Sequence, residues 1–447
     1  MISNLKQKLR AMSIAQASHL PDDTPSANED RTPGEEVSIG TNPGEINHGS
    51  GPIPLFSADR GNLGGEVVKG IYGSHVVKRS LYPWDTYYGD ISLADFINQV
   101  SQADITWTRL DGSIMPQDLV FMDTETTGLA GGTGTVAFLI GIGYITEGGL
   151  QIEQHIMRDY DEESAMLHDV VEVLRRHRVL VTFNGKSFDW PLLECRLIFS
   201  RIRPINWDDL HIDLLHPARR LWGKKLDSCS LISIERHILG RFREGDIAGA
   251  DIPAVYFDYL NSRIPDNMLK VIDHNKWDIA AMAAMYVHIC SLYNQSELLC
   301  SDYELFGMAR DFERLRRFDD AIRCYNACIE KSKSVPLTHD AKKRLSYLLK
   351  REQRSKEAFA LWEDLARQEG DFIIFPFIEM AKYLEHKAKD YQRALDCTEK
   401  ALKRAEQAQR LSGGGRDGVY GNLRQEILYR RQRLLKRLER DDRKWGS

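Results

Sequence analysis

Two acidic side chains, Asp123 and Glu125, end an apolar stretch, DLVFMDTE, that is typical of a buried strand. Side chains two residues apart on a strand point to the same face, so these carboxylates repel each other unless one is protonated or a cation bridges them. Because hard oxygen ligands favour Mg²⁺ or Mn²⁺ over zinc, the pair indicates a divalent metal site. By itself, an Asp-x-Glu at a strand end is more often a solvated pair or a helix cap.

Two further acidic elements follow downstream. Asp189 stands between the predicted strand VLVTF and a helix with Pro191 in its first turn, so it either caps this helix or joins the acidic site. His274 and Asp278 are four residues apart on a predicted helix, and residues at this spacing share one face. A lone histidine is more often structural, but here the imidazole and the carboxylate can reach into the same site.

The elements that must position these groups follow the order of an α/β protein. Residues 118–145 read as two strands joined by a glycine-rich turn, and a third strand, LQIEQHIM, follows Gly148 and Gly149 as a hairpin. An amphipathic helix, the strand VLVTFN and further helices come next. We therefore predict an α/β fold in which helices flank a mixed sheet.

After about residue 300 the sequence predicts helices only. Three similar segments, FDDAIRCYNACI, SKEAFALWEDLA and YQRALDCTEKAL, carry a small residue at Ala321, Ala358 and Ala394. These alanines are 37 and 36 residues apart, close to the period of about 34 residues in tetratricopeptide repeats. The pattern predicts an all-α domain of helical hairpins, with an irregular helical bundle as the alternative.

Changes in composition divide the chain into five predicted regions. The N-terminal stretch is rich in Pro, Gly, Ser and acidic residues, so it offers little apolar surface with which to offset its ordering entropy. The regions are a mostly disordered segment (1–65), an extension that packs on the α/β domain (66–117), the α/β domain (118–298), helical hairpins (299–410), and a flexible linker with a basic helix (411–447).

Charge is distributed unevenly along the chain, although the net charge is only -5. Residues 301–447 hold 33 Lys and Arg against 25 Asp and Glu, whereas residues 1–300 hold 27 against 40. An acidic part is therefore joined to a basic part that can hold a polyanion. The seven cysteines include no CxxC pair, which favours the reducing environment of the cytoplasm. No apolar stretch reaches about 20 residues, so we expect a protein that does not enter a membrane.

The acidic set as a whole resembles that of the DEDD exonuclease superfamily, which has an RNase H-like fold. Six ordered blocks within residues 118–290 also resemble the bacterial YprB-like ribonuclease H-like proteins. These blocks are DTETTGLAGGTGTVAFLIGIG, VTFNGKSFDWPLL, HIDLLHPARRLW, LDSCSLISIERHILG, DIAGADIPAVYFDYL and HNKWDIAAM. The spacing of four between His274 and Asp278 is that of the tyrosine-type members rather than the histidine-type ones.

This resemblance implies phosphodiester hydrolysis with two Mg²⁺ or Mn²⁺ ions. It implies that Asp123 binds both ions, that Glu125 and Asp278 are further metal ligands, and that Asp189 acts partly through water. His274, if neutral, would accept a proton from the attacking water.

Three stretches supply the candidate substrate contacts. The glycine-rich turn either lets a terminal nucleotide approach the backbone or only reverses the chain, and it lacks the Lys of an ATP-binding P-loop. The basic RRLWGKK sequence suits phosphate contact and base stacking, or a solvated basic face around a buried Trp. The candidates are Thr126, Gly128, Leu129, Asn184, Lys186, Phe188, Arg219, Arg220 and Trp222.

We therefore expect a metal-dependent nuclease, a 3′-5′ exonuclease that acts on single-stranded or frayed DNA or RNA. The helical repeats are expected to offer a surface for a protein partner. Two alternatives remain open: an interaction scaffold with a weak or degenerate nuclease domain, and an RNA-processing endonuclease.

Overall fold

The computed structural model describes residues 62–100, 108, 114–128, 134–294, 300–367, 373–411 and 419–445. Most of the predicted disordered segment, residues 129–133 of the glycine-rich turn, and the predicted flexible linker at 412–418 lie outside these residues. Of the helices that are described, none combines the length and the apolar character needed to cross a membrane.

A mixed sheet forms the centre of the α/β region. Its strands are β1 (Glu66–Gly70), β2 (Gly73–Pro83), β5 (Leu119–Thr126), β6 (Ala137–Thr146), β7 (Gly149–Ile156), β8 (Val179–Thr182) and β9 (His211–Asp213), while β3 (Tyr87–Tyr88) and β4 (Ile91–Ser92) pair separately. The order across the sheet is β1-β2-β7-β6-β5-β8-β9. Strands β5, β8 and β9 run parallel, and the other neighbours are antiparallel. The predicted α/β fold with a mixed sheet is confirmed.

The predicted extension over residues 66–117 supplies part of this sheet. Strand β2 pairs with β7 from Val76 opposite Ile156 to Pro83 opposite Gly149. The sheet therefore begins well before residue 118, and two of its strands come from the predicted extension. Strand β1 is an edge strand whose residues are mostly exposed, which is why its sequence lacks the apolar run of β5.

Helices cover both faces of the sheet. They are α1 (Glu163–Leu174), α2 (Asp189–Phe199), α3 (Leu215–Trp222), α4 (Leu231–His237), α5 (Ile252–Ser262) and α6 (Asp266–Asn294). Alternate residues of β5 enter different cores: Phe121 belongs to the core that includes Ile279 of α6, and Met122 belongs to the core that includes Met166 of α1. The side chains at 123 and 125 continue the face that α6 covers.

Two glycines of β6 allow α6 to lie close to the sheet. A Cβ atom at Gly141 would lie 2.2 Å from Oδ1 of Asn275, and one at Gly143 would lie 2.4 Å from Cγ2 of Ile279. Gly141 is also the ladder partner of Asp123. The absence of a side chain at 141 therefore brings α6 against the acidic end of β5.

The C-terminal region is built from helices that pack on their neighbours along the chain. They are α7 (Asp302–Arg314), α8 (Phe318–Lys331), α9 (Val335–Arg351), α10 (Ser355–Arg367), α11 (Phe375–Tyr383), α12 (Tyr391–Leu411) and α13 (Val419–Trp445). Ala321, Ala358 and Ala394 lie on α8, α10 and α12, and all three are fully buried. The predicted helix-rich region is confirmed, and small residues lie where alternate helices meet their neighbours.

The α/β and helical regions share one continuous apolar core. Helix α3 packs on α7, where Gly307 is so close that a Cβ atom would lie 2.7 Å from Cα of Leu221. The buried Trp222 donates a hydrogen bond from Nε1 to Oε1 of Glu304 across this contact, at 3.1 Å. The helical region is therefore fixed against the α/β region by packing.

Candidate metal centre

Strand β5 presents the first two carboxylates to α6. Burial, together with the negative charge of Asp278, raises the pKa of Asp123 well above its ordinary value. The same two causes raise the pKa of Glu125, which is buried. Both groups are held where ionisation is opposed, so they are stable only with a proton or a nearby cation.

Asp189 joins these carboxylates from the start of α2. The hydroxyl of Thr124 donates a hydrogen bond to Oδ1 of Asp189, at 2.6 Å, and so ties α2 to β5. Burial raises the pKa of Asp189, although this hydrogen bond opposes the rise. Asp189 also contributes to the raised pKa of both Asp123 and Glu125, which means that it faces the same site.

Helix α6 contributes His274 and Asp278, which face the site as their spacing predicted. Nε2 of His274 lies 3.4 Å from Oδ2 of Asp278, and Nδ1 lies 2.7 Å from Oδ1 of Asp246. Three side chains, those of Glu125, His274 and Asp278, each offer one ligand atom. These three atoms lie within 4.8 Å of one another, a spacing that one cation can bridge. The sequence reasoning missed Asp246, although this residue belongs to the block DIAGADIPAVYFDYL that carries the family resemblance.

A second missed residue, Asn275, contacts the first carboxylate directly. Its Nδ2 donates a hydrogen bond to Oδ2 of Asp123 at 2.9 Å. The buried Gln154 orients this amide by donating to Oδ1 of Asn275 at 3.0 Å. Its position next to His274 in the sequence HNKWD was the available signal.

An arginine supplies the positive charge that borders this acidic cluster. Arg243 is almost fully buried and donates hydrogen bonds to Oδ1 of Asp278 and Oε2 of Glu235, both at 2.6 Å. It also donates to Oδ2 of Asp246, at 3.3 Å. Tyr88, from the extension, donates to the other oxygen of Glu235 at 2.6 Å. No periodicity or motif in the sequence marked Arg243, because it lies in an irregular loop.

The donor set fits a divalent cation. Asp123, Glu125, Asp189 and Asp278 bring four carboxylates to one place, and Arg243 contacts only the last of them directly. A cation among these oxygens would relieve both the desolvation and the mutual repulsion that raise their pKa values. Carboxylate oxygens with at most one imidazole are ligands that suit Mg²⁺ or Mn²⁺.

Comparison with known proteins agrees with this geometry. A model of the RNase_H superfamily matches residues 120–290, the region that holds the acidic cluster. The uncharacterized protein YprB of Bacillus subtilis (strain 168) is 33% identical over 333 residues, which cover 73% of this chain and 80% of the relative. The chain belongs to the YprB family of the RNase_H superfamily. RNase H-like nucleases usually use divalent metals, so the family supports a nuclease and a metal site.

Two DNA polymerases also match parts of this YprB-family chain. DNA polymerase 1 of Aeropyrum pernix is 38% identical over 114 residues, which are 22% of this chain and 12% of the polymerase. The structure of a family B DNA polymerase from Pyrobaculum calidifontis matches with a TM-score of 0.33 and 14% identity, over 48% of this chain and 30% of that one. This chain therefore spans a small part of either polymerase.

The substrate contacts predicted in the NGKSFD segment lie beside the acidic cluster. Asp213, at the end of β9, accepts backbone hydrogen bonds from Asn184 at 2.7 Å and from Lys186 at 3.2 Å, which fixes this loop. The ring of Phe188 is 58% exposed, so it can contact a ligand. These residues precede Asp189 directly, and their contact with a substrate stays a prediction.

The contacts predicted near the glycine-rich turn are only partly described. The hydroxyl of Thr126 donates to the carbonyl oxygen of Gly128 at 2.8 Å, which stabilises the start of the turn. Leu129 lies outside the described residues.

Of the two interpretations of the basic RRLWGKK stretch, the structure favours a buried Trp over a base-stacking one. Trp222 is fully buried between α3 and α7 and stacks on His288, so it has no exposed face for a base. Arg220 forms an ion pair with the fully buried Asp311 at 2.5 Å, which fixes α3 to the helical region. Arg219 is exposed, as a phosphate contact requires.

Proposed function

We propose that this protein is a divalent-metal-dependent nuclease that hydrolyses phosphodiester bonds from the 3′ end of single-stranded or frayed nucleic acid. The observation that carries this proposal is the convergence of four carboxylates from three separate segments, two of them with strongly raised pKa values. Membership of the RNase_H superfamily supports the same reaction.

The carboxylates have distinct proposed roles. Asp123, Glu125 and Asp278 would hold two Mg²⁺ or Mn²⁺ ions, with Asp123 shared between them and Asp189 acting partly through water. When bound, the ions would polarise the phosphoryl oxygens, lower the pKa of the attacking water and stabilise the leaving oxygen. Asn275 orients the carboxylate of Asp123 through its hydrogen bond.

His274 is the proposed proton acceptor. If Nδ1 carries the proton that bonds Asp246, Nε2 is left with its lone pair directed toward the acidic cluster. Asp246 therefore acts as a positioning residue that fixes the tautomer and the ring orientation. Nε2 lies 3.4 Å from Oδ2 of Asp278, and His274 groups with Glu125 and Asp278, so the imidazole also suits the role of a nitrogen ligand. Metal stoichiometry in His274→Ala distinguishes the two roles, because only a ligand changes it.

The test is a hydrolysis assay on 5′-labelled DNA and RNA oligonucleotides with Mg²⁺ or Mn²⁺, in which the wild type is compared with Asp123→Asn. Products that shorten by single nucleotides from the 3′ end are expected from the wild type and not from the variant. Internal fragments would identify an endonuclease instead. Equal hydrolysis by both proteins would overturn the assigned site.

The ion pair between Arg243 and Asp278 favours a second candidate function. A permanent internal cation that neutralises one metal ligand is compatible with a weak nuclease attached to an interaction scaffold. In that case the helical hairpins, which we propose to be tetratricopeptide-like, would bind a protein partner in the cytoplasm. No hydrolysis of any labelled oligonucleotide with either metal would favour this candidate.

A further inference from the structure

A polar cavity lies where the α/β region meets the helical region. Its volume is about 350 Å³, and β9, α3, α7 and the loop before α2 contribute to its wall. The side chains that matter are Lys186, His211, Asp213, His216, Arg220 and Arg314. Three of these six side chains, Lys186, Arg220 and Arg314, carry a permanent positive charge against the single carboxylate of Asp213, so the cavity is suited to an anion.

The charges around the cavity leave it positive. Asp213 accepts backbone hydrogen bonds at both of its oxygens, so its charge is directed toward the loop. The buried Asp311 behind the wall lies 2.5 Å from Arg220 and 3.4 Å from Arg314, so one carboxylate faces two guanidinium groups. Both guanidinium groups belong to the lining of the cavity, and together they carry twice the charge of that carboxylate.

Lys186 adds a further positive charge at the mouth of the cavity. Its side chain is exposed, whereas the neighbouring His211 is buried. Burial, followed by the charge of Lys186, lowers the pKa of His211 to about 4, so this histidine is neutral near pH 7. The neutral imidazole forms a hydrogen bond with the hydroxyl of Thr182, at 2.8 Å, and is part of the cavity wall.

The cavity lies at the same edge of the sheet as the acidic cluster. Strands β5, β8 and β9 are parallel, so their carboxyl ends meet at one edge. Asp123 and Glu125 lie at the end of β5, and Asp213 lies at the end of β9, two strands away. Neighbouring strands are about 4.8 Å apart, which places the cavity about 10 Å from the carboxylates. The loop that carries Lys186 leads directly to Asp189.

We propose that this cavity binds a backbone phosphate of a single nucleic-acid strand whose scissile bond lies at the acidic cluster. This inference rests on the proposed nuclease function. It gives the helical region a direct role, because Arg314 of α7 completes a phosphate site that the α/β region begins with Lys186 and His216. A substrate of two nucleotides would be too short to reach from the carboxylates to this site, whereas longer strands would reach it.

The experiment measures binding without turnover. Fluorescence anisotropy of labelled single-stranded DNA and RNA, two to eight nucleotides long, is recorded in EDTA over a series of salt concentrations. The variants are Lys186→Glu and Arg314→Gln, and Lys356→Glu on the exposed surface of α10 is the control for charge. The affinity of the wild type is expected to rise with strand length, and neither cavity variant should show this rise.

For the longer strands, we expect each cavity variant to bind at least about tenfold more weakly than the wild type. The slope of log affinity against log salt should fall by about 0.7 for each phosphate that the variant no longer binds. Lys356→Glu should change neither quantity. Because Lys186 is exposed, Lys186→Glu is expected to fold normally, and thermal unfolding checks both variants.

The outcomes separate this inference from the proposed function. If both cavity variants bind with the same affinity and the same salt slope as the wild type, the phosphate site is wrong, whatever the hydrolysis assay gives. Absence of hydrolysis by the wild type would overturn the nuclease, even if the cavity binds nucleic acid. If inorganic phosphate binds the wild type and not the variants while strand binding is unchanged, the cavity holds a free anion and the strand proposal is wrong.

Discussion

Buried carboxylates occur in two regions of the molecule with opposite surroundings. In the helical region, Glu385 is fully buried and accepts hydrogen bonds from Arg430 and Arg433, at 2.5 and 2.7 Å. Burial opposes its ionisation, yet the hydrogen bond from Arg433 and the two positive charges hold its pKa below the ordinary value. At the end of β5, burial and neighbouring carboxylates instead raise the pKa of Asp123 and Glu125.

We interpret this difference as the one between a structural carboxylate and the carboxylates of the proposed metal site. Glu385 has its own cations within the chain, so its charge is part of the folded core. Asp123 and Glu125 have a surplus of negative neighbours, and their raised pKa values mean that the fold is more stable when they are neutral or bound to a cation. Groups perturbed in this way by burial and like charge are typical of functional sites.

The largest expected effect comes from replacing Asp123 by its isosteric amide. Asp123→Asn should lower metal-dependent hydrolysis at least about 10³-fold, because a ligand shared by two ions, as proposed for Asp123, would stabilise the transition state by several kcal/mol. The same change should leave the metal-free fold equally or more stable, because it removes one of several repelling charges. Oligonucleotide kinetics and thermal unfolding in EDTA measure the two effects.

Glu385→Gln is the matched substitution in the helical region. It should leave hydrolysis unchanged and destabilise the fold by about 1–3 kcal/mol, because it removes charge-assisted hydrogen bonds to two arginines. A loss of stability in Asp123→Asn as large as that in Glu385→Gln would contradict the distinction between the two regions.

Replacing Arg243 should make the acidic region unstable without metal. Arg243→Gln leaves Asp278, Glu235 and Asp246 without their shared cation, and removing one partner of a buried ion pair costs about 3 kcal/mol or more. Urea denaturation in EDTA measures the loss, and added Mn²⁺ should restore part of it. The exposed Arg236→Gln, which removes only a cation–π interaction with Phe242, should stay within about 1 kcal/mol of the wild type.

Sequence patterns predicted the parts of this site that lie on regular elements. Strand alternation placed Asp123 and Glu125 on one face, and helical spacing placed His274 and Asp278 on another, because both periods are fixed by backbone geometry. Arg243 and Asp246 escaped prediction because they lie on an irregular loop, where no period relates sequence to direction.

The sequence left the role of Trp222 open for a related reason, and base stacking is the interpretation that its burial rules out. Basic residues around an aromatic one fit both an exposed stacking surface and a buried contact between helices, and composition does not distinguish them. The deciding fact is long-range: α7, about 80 residues downstream, brings Glu304 to the indole nitrogen. Strands β1 and β2 were missed likewise, because only their pairing with β7 makes them part of the sheet.

The pH dependence of stability tests the raised pKa values directly. The ordinary pKa values of these two side chains are 3.8 for Asp123 and 4.5 for Glu125. At a pH above these values, the folded chain retains protons on both carboxyls that the unfolded chain has released. Their contribution to stability is therefore complete below these values and is lost as the pH rises through the raised pKa values. We expect thermal stability in EDTA to fall with rising pH more steeply in the wild type than in Asp123→Asn.

Metal should reverse this trend, because it binds the ionised carboxylates and so favours high pH. At a free Mn²⁺ concentration about 100 times the Kd, the expected stabilisation is about 2.7 kcal/mol. Comparison of the wild type with Asp123→Asn cancels the titration of histidines common to both proteins. Parallel pH profiles for the two proteins in EDTA would show that these carboxylates carry no excess protons.

The smallest expected effect concerns Asp246, which has both a cation and a histidine as partners. Asp246→Asn keeps an oxygen that can accept from Nδ1 of His274 but removes the negative charge that anchors it, so we expect kcat to fall about 10–100-fold with KM unchanged. Asp251→Asn, on the exposed turn before α5, should leave both constants at wild-type values. A parallel loss of kcat and thermal stability that Mn²⁺ restores together would assign Asp246 to the structural group with Glu385. A selective loss of kcat in a fully folded protein would assign it to the functional group with Asp123, through the orientation of the imidazole.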